Sequence, residues 1–94
     1  MNNQDYQGKM ERQLSELGEK IDELTDEAAN AAEDVRQEYY ENIDMLRSQK
    51  DMIQSKLQEL KNSSGDAWED IKTGLDRTWD EAQGVLRKAA SRFQ

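Results

Sequence analysis

Residues 66–88 read DAWEDIKTGLDRTWDEAQGVLRK, a stretch that states one phrase twice. Trp68 returns as Trp79 eleven positions on, and Glu69/Asp80, Asp70/Glu81, Ile71/Ala82 and Leu75/Leu86 keep the same offset. Eleven residues in three turns is about 3.67 per turn, so both indoles fall on nearly one line along a helix. The apolar row built on them is Trp68, Ile71, Leu75, Trp79, Ala82, Leu86, Ala89 and Phe93, in steps of 3, 4, 4, 3, 4, 3 and 4. Read backwards, the preceding segment presents Leu60, Leu57, Ile53, Gln49, Leu46, Asn42 with Ile43 beside it, Tyr39 and Val35 in those same steps. Opposed positions add to 128 throughout, which predicts an antiparallel pairing of the two rows. The helix interface is therefore expected to comprise Val35, Tyr39, Ile43, Leu46, Ile53, Leu57 and Leu60 against Trp68, Ile71, Leu75, Trp79, Leu86 and Phe93. Gln49 and Lys50 form a polar break opposite Trp79. The Lys50 stem or ammonium is expected over that indole, a contact worth about 0.5–2 kcal/mol.

The two rows meet at Lys61-Asn62-Ser63-Ser64-Gly65, a cluster of turn formers. Asp66, with Glu69 three residues later, fits a capping box that opens a new helix. Upstream, Tyr6, Met10, Leu14, Leu17, Ile21, Leu24 and Ala28 continue the helical spacing, and nothing alternates at period two. The expected fold is one all-α domain over 1–94, with helix 1 over about 4–61, a turn at 62–65 and helix 2 over about 66–93. This is an antiparallel coiled-coil helical hairpin with one long and one short helix. Helix 2 runs out opposite Val35, leaving Met10, Leu14, Leu17, Ile21, Leu24 and Ala28 without a partner in the hairpin. Those residues are expected to drive self-association, giving a homo-oligomer, foremost a dimer, that closes into a helix bundle. A second arrangement bends the chain near Ala28-Ala29-Asn30-Ala31-Ala32 into helices 4–28, 31–61 and 66–93. Their equal lengths speak for bending. Four alanines and the absence of Gly and Pro in that stretch favour the continuous helix.

Composition narrows the function. The chain of 94 residues carries 21 Asp and Glu against 13 Lys and Arg, a net charge of −8, with no Cys, His or Pro. An acidic chain lacks the Lys and Arg excess that neutralises phosphates, so nucleic acid is not an expected partner. Without Cys and His there are no disulfides, thiolate nucleophiles, haem ligands or usual zinc sites, nor the side chain that titrates most readily near neutrality. No catalytic residue and no cofactor is expected. The opening MNNQDYQGKM has neither the positive cluster nor the apolar run of a secretory signal, so the expected compartment is the cytoplasm.

Candidate ligands have ordinary readings beside them. Met10, Met45 and Met52 could present soft sulfur to copper(I), but methionines at helical spacing more often fill gaps at an interface. Asp22-Glu23, Asp26-Glu27 and Glu33-Asp34 could hold a hard cation, yet no twelve-residue loop with a turn-making Gly surrounds them. A solvated face with pairs such as Glu16 to Lys20 accounts for them better, so no metal site is expected. The eleven-residue period also occurs in lipid-surface helices of the exchangeable apolipoprotein and late embryogenesis abundant types. Residues 85–93, VLRKAASRF, mix basic and apolar side chains as such helices do. Membrane contact is thus the alternative reading. The narrow apolar face and the acidity of the chain weigh against it.

The ending GDAWEDIKTGLDRTWDEAQGVLRKAASRF, preceded by YYENIDMLRSQKDMIQSKLQELK, resembles a group of small acidic bacterial coiled-coil proteins associated with stress. Gly65, Asp66, Ala67, Trp68, Glu69, Gly74 and Trp79 carry the specific part of this resemblance, which extends over roughly residues 15–93. It implies a bacterial, soluble, non-enzymatic helical protein made under stress, and it brings no catalytic residues; the self-associating helix faces themselves point to a structural, scaffolding or stress-protective role.

Overall fold

The computed structural model describes the backbone of residues 3–93 and the side chains of residues 4–91. Three helices of nearly equal length follow one another: α1 (Asn3–Ala29), α2 (Glu33–Lys61) and α3 (Asp66–Phe93). No strand occurs among the described residues. The helices lie side by side in a bundle measuring 50 × 19 × 17 Å.

The expectation of one unbroken helix over 4–61 is corrected here, because the chain leaves helix at Asn30–Ala32. Ala32 is extended, at φ −62° and ψ 151°, and initiates α2 with no side-chain cap. The break needs neither Gly nor Pro, since every non-glycine φ among the described residues stays negative. Its loose backbone groups find local partners. Asn30 Nδ2 donates to the Asp26 carbonyl at 3.1 Å, and Arg36 Nη2 donates to the Ala31 carbonyl at 3.0 Å. Helix propensity alone predicted continuity, but four alanines contribute only tenths of a kcal/mol each over ordinary residues. Folding α1 back hides a row of large apolar side chains, each worth about 1.5–3 kcal/mol. Burial decides the outcome.

That row holds the residues assigned to self-association. Met10, Leu17, Ile21 and Ala28 are buried and Leu14 and Leu24 partly so, all within the core of the single chain. They are not a free dimer face in this fold. Tyr6 joins them at 4 % exposure.

α2 is the central helix, and both neighbours run antiparallel to it. Toward α3, Thr78 Oγ1 lies 3.7 Å from Met52 Sδ, and a Cβ on Gly74 would meet Lys56 Nζ at 3.4 Å. Both pairs add to 130, flanking positions of a seam in which opposed residues add to 128. Within that seam Tyr39, Ile43, Leu46, Ile53, Leu57, Leu60, Trp68, Leu75, Ala82 and Ala89 are buried, and Val35, Ile71, Trp79 and Leu86 are half-buried. The side chain of Phe93 lies outside the described residues. Toward α1, Lys61 Nζ pairs with Glu11 Oε1 at 2.6 Å. The Lys50 stem packs 3.5 Å from where a Cβ on Gly18 would stand. Lys50 therefore covers α1, and the cation–π contact found among the described residues is Lys72 over Tyr6 instead. Gln49 Oε1 stays buried without a hydrogen-bond partner.

The bend between α2 and α3 is held by main-chain bonds. Asn62 N donates to Glu59 O, Ser63 N and Ser63 Oγ donate to Leu60 O, and Trp68 N donates to Gly65 O. Among the described bonds, none is a reciprocal side-chain bond between Asp66 and Glu69, so the expected capping box is replaced by this main-chain closure. Gly65 sits at φ +64°, in the left-handed region. A Cβ there would meet nothing within 4 Å, so any penalty for a side chain comes from the backbone itself. Gly65→Ala is expected to lower stability by about 1–2 kcal/mol, read as a shift in the urea midpoint at unchanged slope.

Candidate functional site: the seam between α1 and α3

α2 packs closely on both neighbours, but among the described residues no Cα of α1 comes within 8 Å of a Cα of α3. These two helices run parallel, and side chains of one must reach across to the other. At the end where α3 begins, the bridge is made of large groups. The Tyr6 ring meets Trp68 edge-on, with centroids 5.5 Å apart and planes at 65°. Tyr6 Oη donates to Asp76 Oδ1 at 2.7 Å. Lys72 Nζ stands 5.2 Å from the centre of the Tyr6 ring and 3.6 Å from Asp76 Oδ2. Tyr6 Oη also lies 3.4 Å from the Lys72 carbonyl, so one aromatic pair, one shared hydroxyl donor and one cation fasten α1 to the first turns of α3.

Burial, reinforced by the hydrogen bond to Asp76 and that carboxylate's charge, raises the Tyr6 phenol well above its ordinary value of 10.0. Stability owed to this phenol is thus complete below pH 10.0 and is lost as pH rises from there toward the folded value. Tyr6→Phe is expected to cost about 0.5–1.5 kcal/mol at neutral pH. It should also flatten the alkaline limb of the stability curve, which urea unfolding at a series of pH values would read.

At the other end the seam is open. A groove of about 360 Å³ runs between residues 16–27 of α1 and 79–90 of α3. Leu17, Leu24, Trp79, Leu86, Ala89 and Ala90 form its apolar lining. Glu16, Lys20, Glu23 and Glu27 edge it on α1, and Gln83 and Arg87 on α3. Tyr6 and Trp68 are long enough to span the interval between the helices. Ala89 and Ala90 are not, and they leave the α3 wall of the groove short beyond Trp79 and Leu86. Below it Tyr39, 7 % exposed, is hydrogen-bonded to Glu27, and burial, ahead of that carboxylate's charge and bond, raises its phenol.

The groove can hide a row of apolar side chains between charged rims. The Glu16–Lys20 pair expected from sequence is replaced by Lys20 to Glu23 at 3.4 Å, an exposed contact worth little. Met10 is buried, whereas Met45 and Met52 are 46 % and 49 % exposed on α2, Met52 with its sulfur against Thr78 of α3. Among the described residues no three acidic side chains converge as metal ligands.

Tyr6 belongs to the expected α1 row, but its partners on α3 and the parallel seam were not expected, although a signal for both exists. Tyr6, Leu17 and Leu24 repeat the steps of eleven and seven that separate Trp68, Trp79 and Leu86. The two rows differ by 62 at each position; in the bundle Tyr6 meets Trp68, and Leu17, Leu24, Trp79 and Leu86 line one groove. No family model, curated protein or solved structure matches this chain.

Proposed function

We propose that this chain is a non-enzymatic helical interaction protein whose closed bundle presents the open half of the α1/α3 seam to another helical surface. The observation that carries this reading is the apolar groove beside the half-buried Trp79, with Leu24 and Leu86 along its length. Such a lining loses contact with water only when a partner covers it. The role we assign is structural, scaffolding or stress-protective, in the cytoplasm, and the resemblance of the 65–79 segment adds a bacterial source and an association with stress. Self-association belongs to this proposal, moved from the row on α1 that the core consumes to the groove that it leaves open.

Contact with a membrane surface is the second reading, favoured by Arg87 and Lys88 beside Val85 and Leu86. No helix among the described residues is long and apolar enough to cross a membrane. Lying on one would require α3 to give up Leu75, Ala82 and Ala89, which are at most 2 % exposed in the bundle. Circular dichroism with and without anionic vesicles separates the readings. The proposal expects full helicity and a cooperative melt in buffer, unchanged by lipid. Low helicity that rises on adding vesicles would replace it with the surface reading.

A further inference from the structure

Building on the seam as an interaction surface, we infer that its occupant is a second copy of this chain, related by a two-fold axis parallel to the helices. Charge selects this arrangement. The α1 rim carries Glu16, Glu23 and Glu27 with one Lys20, while the α3 rim carries Arg87 and the neutral Gln83. A two-fold axis along the seam sets each α1 rim on the other copy's α3 rim. Arg87 then falls level with position 25, between Glu23 of the partner subunit and Glu27 of the partner subunit, because Tyr6 meets Trp68 at an offset of 62. A two-fold axis across the seam would instead set the two acidic rims on each other, in a chain already at −8. Like charges directly opposed across an interface are unfavourable.

Area sets the strength. The widest face of the bundle is 50 × 19 Å, on the order of 900 Å² and close to the roughly 800 Å² per partner of an ordinary specific interface. Only the half at 16–27 and 79–90 offers an open apolar lining, so the pair is a weak one in which the rims weigh heavily. The Trp79 side chains of both copies lie in the shared interior.

The test uses the whole chain and two exposed substitutions outside the core, Arg87→Glu and Glu23→Arg, with helicity checked by circular dichroism. Sedimentation equilibrium of the native chain is expected to show a monomer–dimer equilibrium, and each variant alone is expected to dissociate at least about tenfold more readily. Mixing the two variants restores pairing to near the native level, because one rim then keeps the native charges and the other carries them exchanged. The emission lost in Trp79→Phe shifts to the blue as the native dimer forms. A monomer at all concentrations overturns the second copy. If a basic amphipathic peptide then shifts Trp79 emission, the seam remains an interaction surface with a different occupant. A dimer indifferent to both charge changes and to Trp79 overturns the inference and the seam together.

Discussion

Leu75→Ala is expected to lower the unfolding free energy by about 2–5 kcal/mol, and Trp79→Ala by distinctly less, about 1–2 kcal/mol. The order is counter-intuitive, since Trp is the larger side chain. It follows from position: Leu75 is fully enclosed against α2, so truncation leaves a cavity that the surrounding helices cannot collapse into. Trp79 is half-buried at the groove edge, where water replaces much of what the indole gives up. Urea unfolding monitored by circular dichroism at low protein concentration checks both values. Equal losses at the two positions would mean that the indole is enclosed within the single chain and that the groove is not open.

Leu17→Ala is expected to cost about 2–5 kcal/mol as well, with a loss that does not change with protein concentration. Leu17 is 1 % exposed inside one chain, so its burial is complete before any second molecule arrives. A continuous helix over 4–61 would behave differently. In that arrangement Leu17 is sheltered only by another copy, and the cost would vanish on dilution by mass action. Repeating the unfolding over a hundredfold range of concentration distinguishes the two. A loss that appears only in concentrated solution would restore the long helix.

Much of the molecule was legible in one dimension. The mirrored steps of 35–60 and 66–93 predicted which side chains of α2 and α3 turn inward, because a helical stripe and an antiparallel register are both arithmetic properties of spacing. The bend at 62–65 was legible for a similar reason: turn formers and a left-handed glycine act locally. The break at Asn30–Ala32 was not legible by the same means. Its local signal, four alanines, points toward helix, and its cause lies twenty residues away on either side. The partners of Tyr6 on α3 were illegible on the same ground, although its place in the α1 row was not. A tyrosine near the start of the chain carries no mark of the Asp76 carboxylate that accepts its hydrogen bond seventy residues later.

By itself, then, the sequence determined an all-helical chain, the inward stripes of all three helices and the turn between the last two, since each depends on residues within a few turns of one another. Tertiary structure alone decided that the chain folds α1 back on α2, that the row assigned to dimerisation becomes core, and that α1 and α3 meet at one end and part at the other. Those outcomes compare energies between distant segments. Burying a row of large apolar side chains outweighs the small propensity of a few alanines, and the lengths of opposing side chains across a gap set where a bundle closes and where it stays open.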